Sequence, residues 1–174
     1  MTPIQDLIRD VPDFPKKGII FKDITPLLAD PQGLTETIEG LIEPFRNAGV
    51  EIICGTESRG FIFGTAAAVM LGVGFVPIRK RGKLPCKTLR AEYSLEYGTD
   101  SLEIHADAIK PGQRVLMIDD LLATGGTMAA ACELVEKLGG NVVGVAFVLE
   151  LCFLNGRKRF SKYNVHSLIK VNGE

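Results

Sequence analysis

The sequence predicts an α/β domain built on a mainly parallel, doubly wound sheet with helices on both faces. Short apolar runs recur at Glu51–Cys54, Gly74–Ile78, Arg114–Ile118 and Val142–Leu149, as expected of strands covered on both faces. Helical patterns alternate with them, at Leu34, Ile38, Leu41, Ile42 and Phe45, at Phe61–Leu71, and at Met128, Ala131, Cys132, Val135 and Leu138. Such alternation marks parallel βα units. At 174 residues the chain is about one domain long, and no linker, repeat or low-complexity tract divides it.

In chain order, Met1–Asp30 is irregular, with Pro3, Pro12, Pro15 and Pro26 and a weak helical pattern at Ile4–Ile8. Phe14–Leu28, FPKKGIIFKDITPLL, has apolar residues without a clean period and reads as a surface strap whose Phe14 and Phe21 cover core. Asp30-Pro31 opens a helix, cap then first-turn proline, and Pro44 should kink or shorten it. The strand at Glu51–Gly55 runs into Thr56-Glu57-Ser58-Arg59-Gly60 and then Phe61–Leu71, a helix apolar around most of its circumference and so expected to be buried. A polar turn between two buried elements belongs at the C-terminal edge of the sheet, where α/β proteins keep their sites.

The strand at Val73–Ile78 is followed by six basic residues in the twelve of Arg79–Arg90. In a chain otherwise balanced this marks a local anion site, against the alternatives of a solvated charge run or a nucleic-acid patch. Arg90–Asp100 is polar and turn-like before a short strand near Ser101–His105, Pro111-Gly112 makes a turn, and Val165–Ile169 supplies the last strand. His105 and His166 lie near strands with no partner in sequence and read as structural or exposed.

The chemistry concentrates at Val115–Thr127, VLMIDDLLATGGT. Four apolar residues form the strand, and Asp119 and Asp120 follow where it should end. Ala123, Thr124, Gly125, Gly126 and Thr127 then lead into a helix that Gly139-Gly140 stops. Small residues let successive N–H groups face one anion, the helix N-terminus adds partial positive charge, and the Thr hydroxyls add donors. The layout suits one phosphate monoester, and without a Gly-Lys-Ser/Thr ending it disfavours a triphosphate. Ionised, Asp119 and Asp120 only accept hydrogen bonds, which suits the two neighbouring hydroxyls of a ribose. An ordinary strand–turn–helix is the bland alternative, and the full thirteen-residue string weighs against it.

That string resembles the phosphoribosyl pyrophosphate (PRPP) signature of the type I phosphoribosyltransferases, in the form found in adenine phosphoribosyltransferases. Further matches are the FPxxGxxFxDITPLL pattern at Phe14–Leu28, the RKxGKLP segment from Arg79 and the YxLEYG core at Tyr93–Gly98. The resemblance covers Phe14 to about Leu149 and leaves the last twenty-odd residues undiagnostic. It implies a type I phosphoribosyltransferase-like fold, with one domain over 1–174, a small N-terminal hood over 1–30 and a mobile catalytic loop over 79–100. The implied reaction is adenine + PRPP ⇌ AMP + pyrophosphate with Mg²⁺, by a homodimer.

By that resemblance Phe21 stacks on adenine, the Ile20 backbone reads the base edge and Arg59 lies beside the base. Glu57, Ser58 and Arg59, with a cis peptide at Glu57–Ser58, would hold pyrophosphate together with Arg79, Lys80 and Lys83. Glu96 is the implied proton-handling or charge-stabilising carboxylate, in a loop with Tyr97 that closes over the reacting centre. The Mg²⁺ would be held mainly by PRPP, with a water-mediated contact to Asp119 and no dedicated protein ligand set.

Composition narrows the alternatives. With 20 basic and 21 acidic residues, net charge −1 argues against general nucleic-acid binding. No apolar run is long enough to span a bilayer and no signal-peptide pattern opens the chain. Cys54, Cys86, Cys132 and Cys152 are widely separated, with neither metal spacing nor a disulfide framework, so a cytoplasmic location is expected. A phosphoribosyltransferase for xanthine or hypoxanthine and a non-catalytic PRPP-sensing regulator remain as rivals, the latter disfavoured because length and charge leave no room for a DNA-binding domain.

Overall fold

The computed structural model describes residues 3–94 and 99–173. A small antiparallel pair, β1 (Arg9–Pro12) and β2 (Ile20–Asp23), precedes two helices, α1 (Thr25–Ala29) and α2 (Pro31–Ile42). The N-terminal segment is therefore more ordered than its prolines suggest, and the helical pattern at its start is a 3₁₀ turn at Ile4–Leu7. The Asp30 carboxylate accepts from Gly33 N at 2.7 Å, capping α2 as expected. Pro44 does shorten that helix, which gives way to a 3₁₀ turn at Glu43–Phe45 that buries Phe45.

The main sheet contains β3 (Ile52–Thr56), β4 (Gly74–Lys80), β5 (Thr88–Ser94), β6 (Thr99–His105), β7 (Arg114–Leu122), β8 (Asn141–Leu151) and β9 (Val165–Val171). Their spatial order is β5-β6-β4-β3-β7-β8-β9, parallel from β4 to β9, with β5 and β6 antiparallel at one end. α1, α2 and α3 (Arg59–Leu71) pack on one face through Leu27, Leu41, Phe63 and Ala67. On the other face α4 (Gly126–Lys137) packs through Met128, Ala131, Cys132 and Val135. The sheet is thus doubly wound, as predicted.

Three expectations need correction. The described residues of 79–100 (79–94 and 99–100), expected as a loop, are largely strand. Arg79 and Lys80 finish β4, and β5 pairs with β6, because Ala91 and its inward neighbours Leu89 and Tyr93 join the core beneath α4. Strand β7 does not stop before the carboxylates. It runs through Asp119 and Asp120 to Leu122, because β8 continues alongside and supplies hydrogen-bond partners as far as Glu150. Helix α3 is not buried all round, since Ile62, Val69 and Met70 are 42%, 78% and 40% exposed.

Candidate active site

The register of the sheet creates the site. The last paired residues of β3 and β7 are Gly55 and Ile118, so Asp119 and Asp120 project beyond the point where the pairing of β3 with β7 ends. From there the chain after β3 turns into α3 on one face, and the chain after β7 turns into α4 on the other. Adjacent parallel strands whose connections diverge leave a crevice at their C-terminal ends. Here it is a cavity of about 290 Å³ lined by Thr56–Arg59, Asp119–Met128 and Phe147.

The two carboxylates are held differently. Asp119 Oδ2 accepts a short hydrogen bond from Thr56 Oγ1, and its Oδ1 accepts from Asp120 N at 2.9 Å. Asp120, 7% exposed, pairs through Oδ2 with Arg59 Nη2 at 2.8 Å. Enclosure by the cavity walls pushes the Asp119 carboxyl well above the ordinary carboxylate range, and the adjacent Asp120 charge adds to this. Asp120 is also raised by burial, opposed mainly by the Arg59 guanidinium. Two neighbouring acids with raised pKa values in a cleft are poised to take up a ligand's hydroxyls or positive charge.

Opposite them lies the glycine loop. Gly125 adopts the left-handed region at φ 79° and turns the chain into α4. No side chain caps α4 among the described residues, so its first N–H groups remain available to an anion. The loop and the acid pair face one cavity, which sequence spacing alone suggested.

The remaining candidates are distributed around this centre. The peptide between Glu57 and Ser58 is cis, as the resemblance implies. Glu57 accepts from Lys80 N at 2.5 Å and lies 3.5 Å from Arg79 Nε, which has no hydrogen-bond partner among the described atoms. Lys80 Nζ pairs with Asp100 at 3.2 Å, and Lys83 is exposed with its carbonyl accepting from Arg79 Nη1. The basic side chains Arg79, Lys80 and Lys83 therefore gather beside Glu57 but do not line the cavity itself. The Arg59 guanidinium carbon lies 5.2 Å from the Phe21 ring centroid, which brings the N-terminal hairpin to the cavity's edge. Phe14 meets Phe21 edge-on at 5.2 Å but is itself half exposed. Glu96 and Tyr97 lie outside the described residues.

A second cavity was not signalled by the sequence reading. Ile20, with Gly18 and Ile19 on the hairpin side, lines a second, more apolar cavity of about 300 Å³ together with Leu151, Phe153 and Leu154. These C-terminal residues follow β8 in a 3₁₀ turn at Cys152–Leu154, too short to carry a period. The one available signal was an apolar pair, Phe153-Leu154, directly after a strand that ends at the same sheet edge.

Comparison with known proteins agrees with this fold. A family model described as the phosphoribosyl transferase domain matches residues 25–173. An adenine phosphoribosyltransferase of Thermoanaerobacter sp. is 58% identical over 170 residues, covering 98% of this chain and 98% of that protein. The crystal structure of adenine phosphoribosyltransferase from Thermoanaerobacter pseudethanolicus superposes with TM-score 0.94 at 56% identity, covering 97% of this chain and 98% of that one. The Saccharomyces cerevisiae enzyme, solved with an imino-altritol bisphosphate and adenine, gives TM-score 0.89 at 44% identity over 95% of this chain and 97% of that one.

Proposed function

The chain belongs to the phosphoribosyltransferase family and, within it, to the adenine phosphoribosyltransferases of purine salvage; from that premise we propose how its residues join adenine to PRPP. The observation that carries the proposal is the single cavity shared by the glycine loop and the Asp119–Asp120 pair. The Ala123–Thr127 N–H groups and hydroxyls take the 5′-phosphate, and Asp119 and Asp120 take the ribose hydroxyls. Arg59 then exchanges its Asp120 contact for the ligands.

As the C1′–pyrophosphate bond lengthens, its electron pair leaves with pyrophosphate and C1′ becomes oxocarbenium-like. The N9 lone pair of adenine forms the new bond, and the N9 proton is given up, with Glu96 assigned to receive it or to stabilise the charge. Carboxylates beside C1′ stabilise the developing positive charge, whereas Arg79, Lys80, Lys83 and the Glu57–Arg59 turn meet the leaving group. Arg79 Nε, which makes no hydrogen bond among the described residues and meets only the Glu57 carboxylate at 3.5 Å, supports that assignment. Little covalent work falls to side chains, so positioning dominates.

Magnesium fits this arrangement as a companion of PRPP. No cluster of three or more metal-ligating side chains is present among the described residues, and Mg²⁺ commonly uses one or two carboxylates plus phosphate oxygens and water. Asp119, and beside it Asp120, would hold it through water. When bound, the ion supplies positive charge to the leaving pyrophosphate.

The base is assigned to the hood side, with the flat Phe21 ring, which lies beside Arg59, as stacking partner. Incubation with PRPP, Mg²⁺ and each of adenine, hypoxanthine, guanine and xanthine tests the assignment. Nucleotide should form with adenine alone, and Phe21→Ala should raise KM for adenine about tenfold, equivalent to ~1.4 kcal/mol, a typical aromatic contribution. A different preferred base would overturn the hood assignment, and no product with any base would favour a PRPP sensor.

The exposed Ile62, Val69 and Met70 form one apolar flank of α3 and support a homodimer. Sedimentation of the wild type as a dimer and of Val69→Glu as a monomer is the expected result; a monomeric wild type would reject it. The free thiols at Cys54, Cys86, Cys132 and Cys152 support a reducing, cytosolic location.

A further inference from the structure

We infer that the 3₁₀ segment Gly156–Phe160 is a brace that sets the shape of the phosphate-gripping loop, with Arg157 as the positioning residue that anchors it. This rests on the reading of Ala123–Thr127 as the phosphate grip. The brace lies beyond the residues that line the cavity, and the loop is packed directly against it.

The contacts are close and mutual. A Cβ at Gly156 would overlap the Ala123 carbonyl oxygen and stand 3.0 Å from the Thr124 carbonyl carbon. A Cβ at Gly125 would stand 2.9 Å from the Gly156 carbonyl oxygen and 2.9 Å from the Phe160 ring. The two backbones therefore meet glycine to glycine, at a separation only that residue permits. Arg159 Nε donates to the Thr124 carbonyl at 3.0 Å, and buried Phe160 packs on Phe147.

Arg157 fixes the brace to the sheet. Its Nε donates to Glu150 Oε1 at 2.9 Å and Oε2 at 3.2 Å, and its Nη2 also reaches Oε2. The same guanidinium donates to the Val165 carbonyl at 2.9 Å and to Ser167 Oγ at 3.1 Å. Glu150, at the end of β8, is 4% exposed. One planar fork thus ties the brace to β8 and β9 together, which a lysine cannot reproduce. The rigidity of the phosphate grip is borrowed from two strands that contribute no residue to the loop.

The test compares Gly156→Ala, Arg157→Lys and Thr127→Ala in the full chain, by KM for PRPP, KM for adenine and thermal midpoint. Gly156→Ala adds only a Cβ facing the loop, and Arg157→Lys keeps the charge while losing the fork. Expected are PRPP KM values raised about tenfold in both, as sub-ångström misplacement of a binding group commonly costs, with adenine KM within about twofold of wild type for Gly156→Ala. If Gly156→Ala fails to fold, Arg157→Lys alone decides. Brace variants that melt earlier but keep a wild-type PRPP KM, while Thr127→Ala raises it, would show a purely structural role and overturn the proposal. An unchanged PRPP KM in Thr127→Ala would instead overturn the reading of the loop, and the brace with it.

Discussion

Asp119→Asn should lower kcat/KM about a thousandfold, ~4 kcal/mol of transition-state stabilisation, and yet raise the thermal midpoint of the ligand-free protein at neutral pH. Both effects have one origin. The carboxyl is enclosed, faces a second carboxyl one residue away, and is held by Thr56 and the Asp120 N–H. On the proposed mechanism its charge opposes the cation that develops at C1′, and an amide supplies no such charge.

The pH dependence follows from the direction of the shift. Asp119 and Asp120 are raised in the folded state, so the folded protein favours their neutral forms relative to the unfolded chain. Their favourable share of stability is fully present below the ordinary carboxylate range and is lost as pH rises through the raised values. The advantage of Asp119→Asn should therefore be absent near pH 3 and grow to a few degrees toward neutrality, ~1 kcal/mol being worth about 2–4 °C in a chain this size. Thermal scans of both proteins between pH 3 and 8 measure it. An Asn variant that retains turnover would sink the catalytic assignment, and one that melts earlier at every pH would sink the electrostatic account.

Gly125→Ala should be damaging at the phosphate end for a backbone reason as well as a steric one. The residue sits at φ 79° as the chain turns into α4, a region costing a side chain about 1–2 kcal/mol. The added Cβ would also press on the Gly156 carbonyl and Phe160, each at 2.9 Å. A loss of about 2–3 kcal/mol in folding stability and about a hundredfold in kcat/KM for PRPP is expected. Urea unfolding and steady-state kinetics read the two separately. Wild-type kinetics in a folded Gly125→Ala protein would show that the loop tolerates distortion and does not grip the phosphate closely.

The sequence made some features legible because single residues dictate them. Asp30 before Pro31 starts α2, Pro44 ends it, and the Asp-Asp-to-Gly-Gly string locates the strand-to-helix crossing. Other features depended on distant partners. Strand β7 runs on past Ile118 only because β8 accompanies it to Glu150. Leu89, Ala91 and Tyr93 alternate with Arg90 and Glu92, the two-residue period of β5, but charges on the outward positions made the stretch look like a loop. Ile62, Val69 and Met70 have the same apolar chemistry as the core side of α3, and composition cannot separate a face that meets the sheet from one that does not. The brace was invisible for a related reason. Gly156 matters through its approach to Ala123, more than thirty positions earlier.

Arg59 links two parts of the proposed site. Its guanidinium satisfies Asp120 on one side and covers the Phe21 ring on the other, so a flat cation already spans the gap between the sugar end and the base end. A molecule that offers only hydroxyls, or only an aromatic face, competes against an intramolecular partner that costs nothing in translational freedom. On the proposed assignment, a sugar and a base arriving together would displace it from both contacts at once. On that assignment, this double contact of Arg59 would favour a sugar and a base together over either fragment alone.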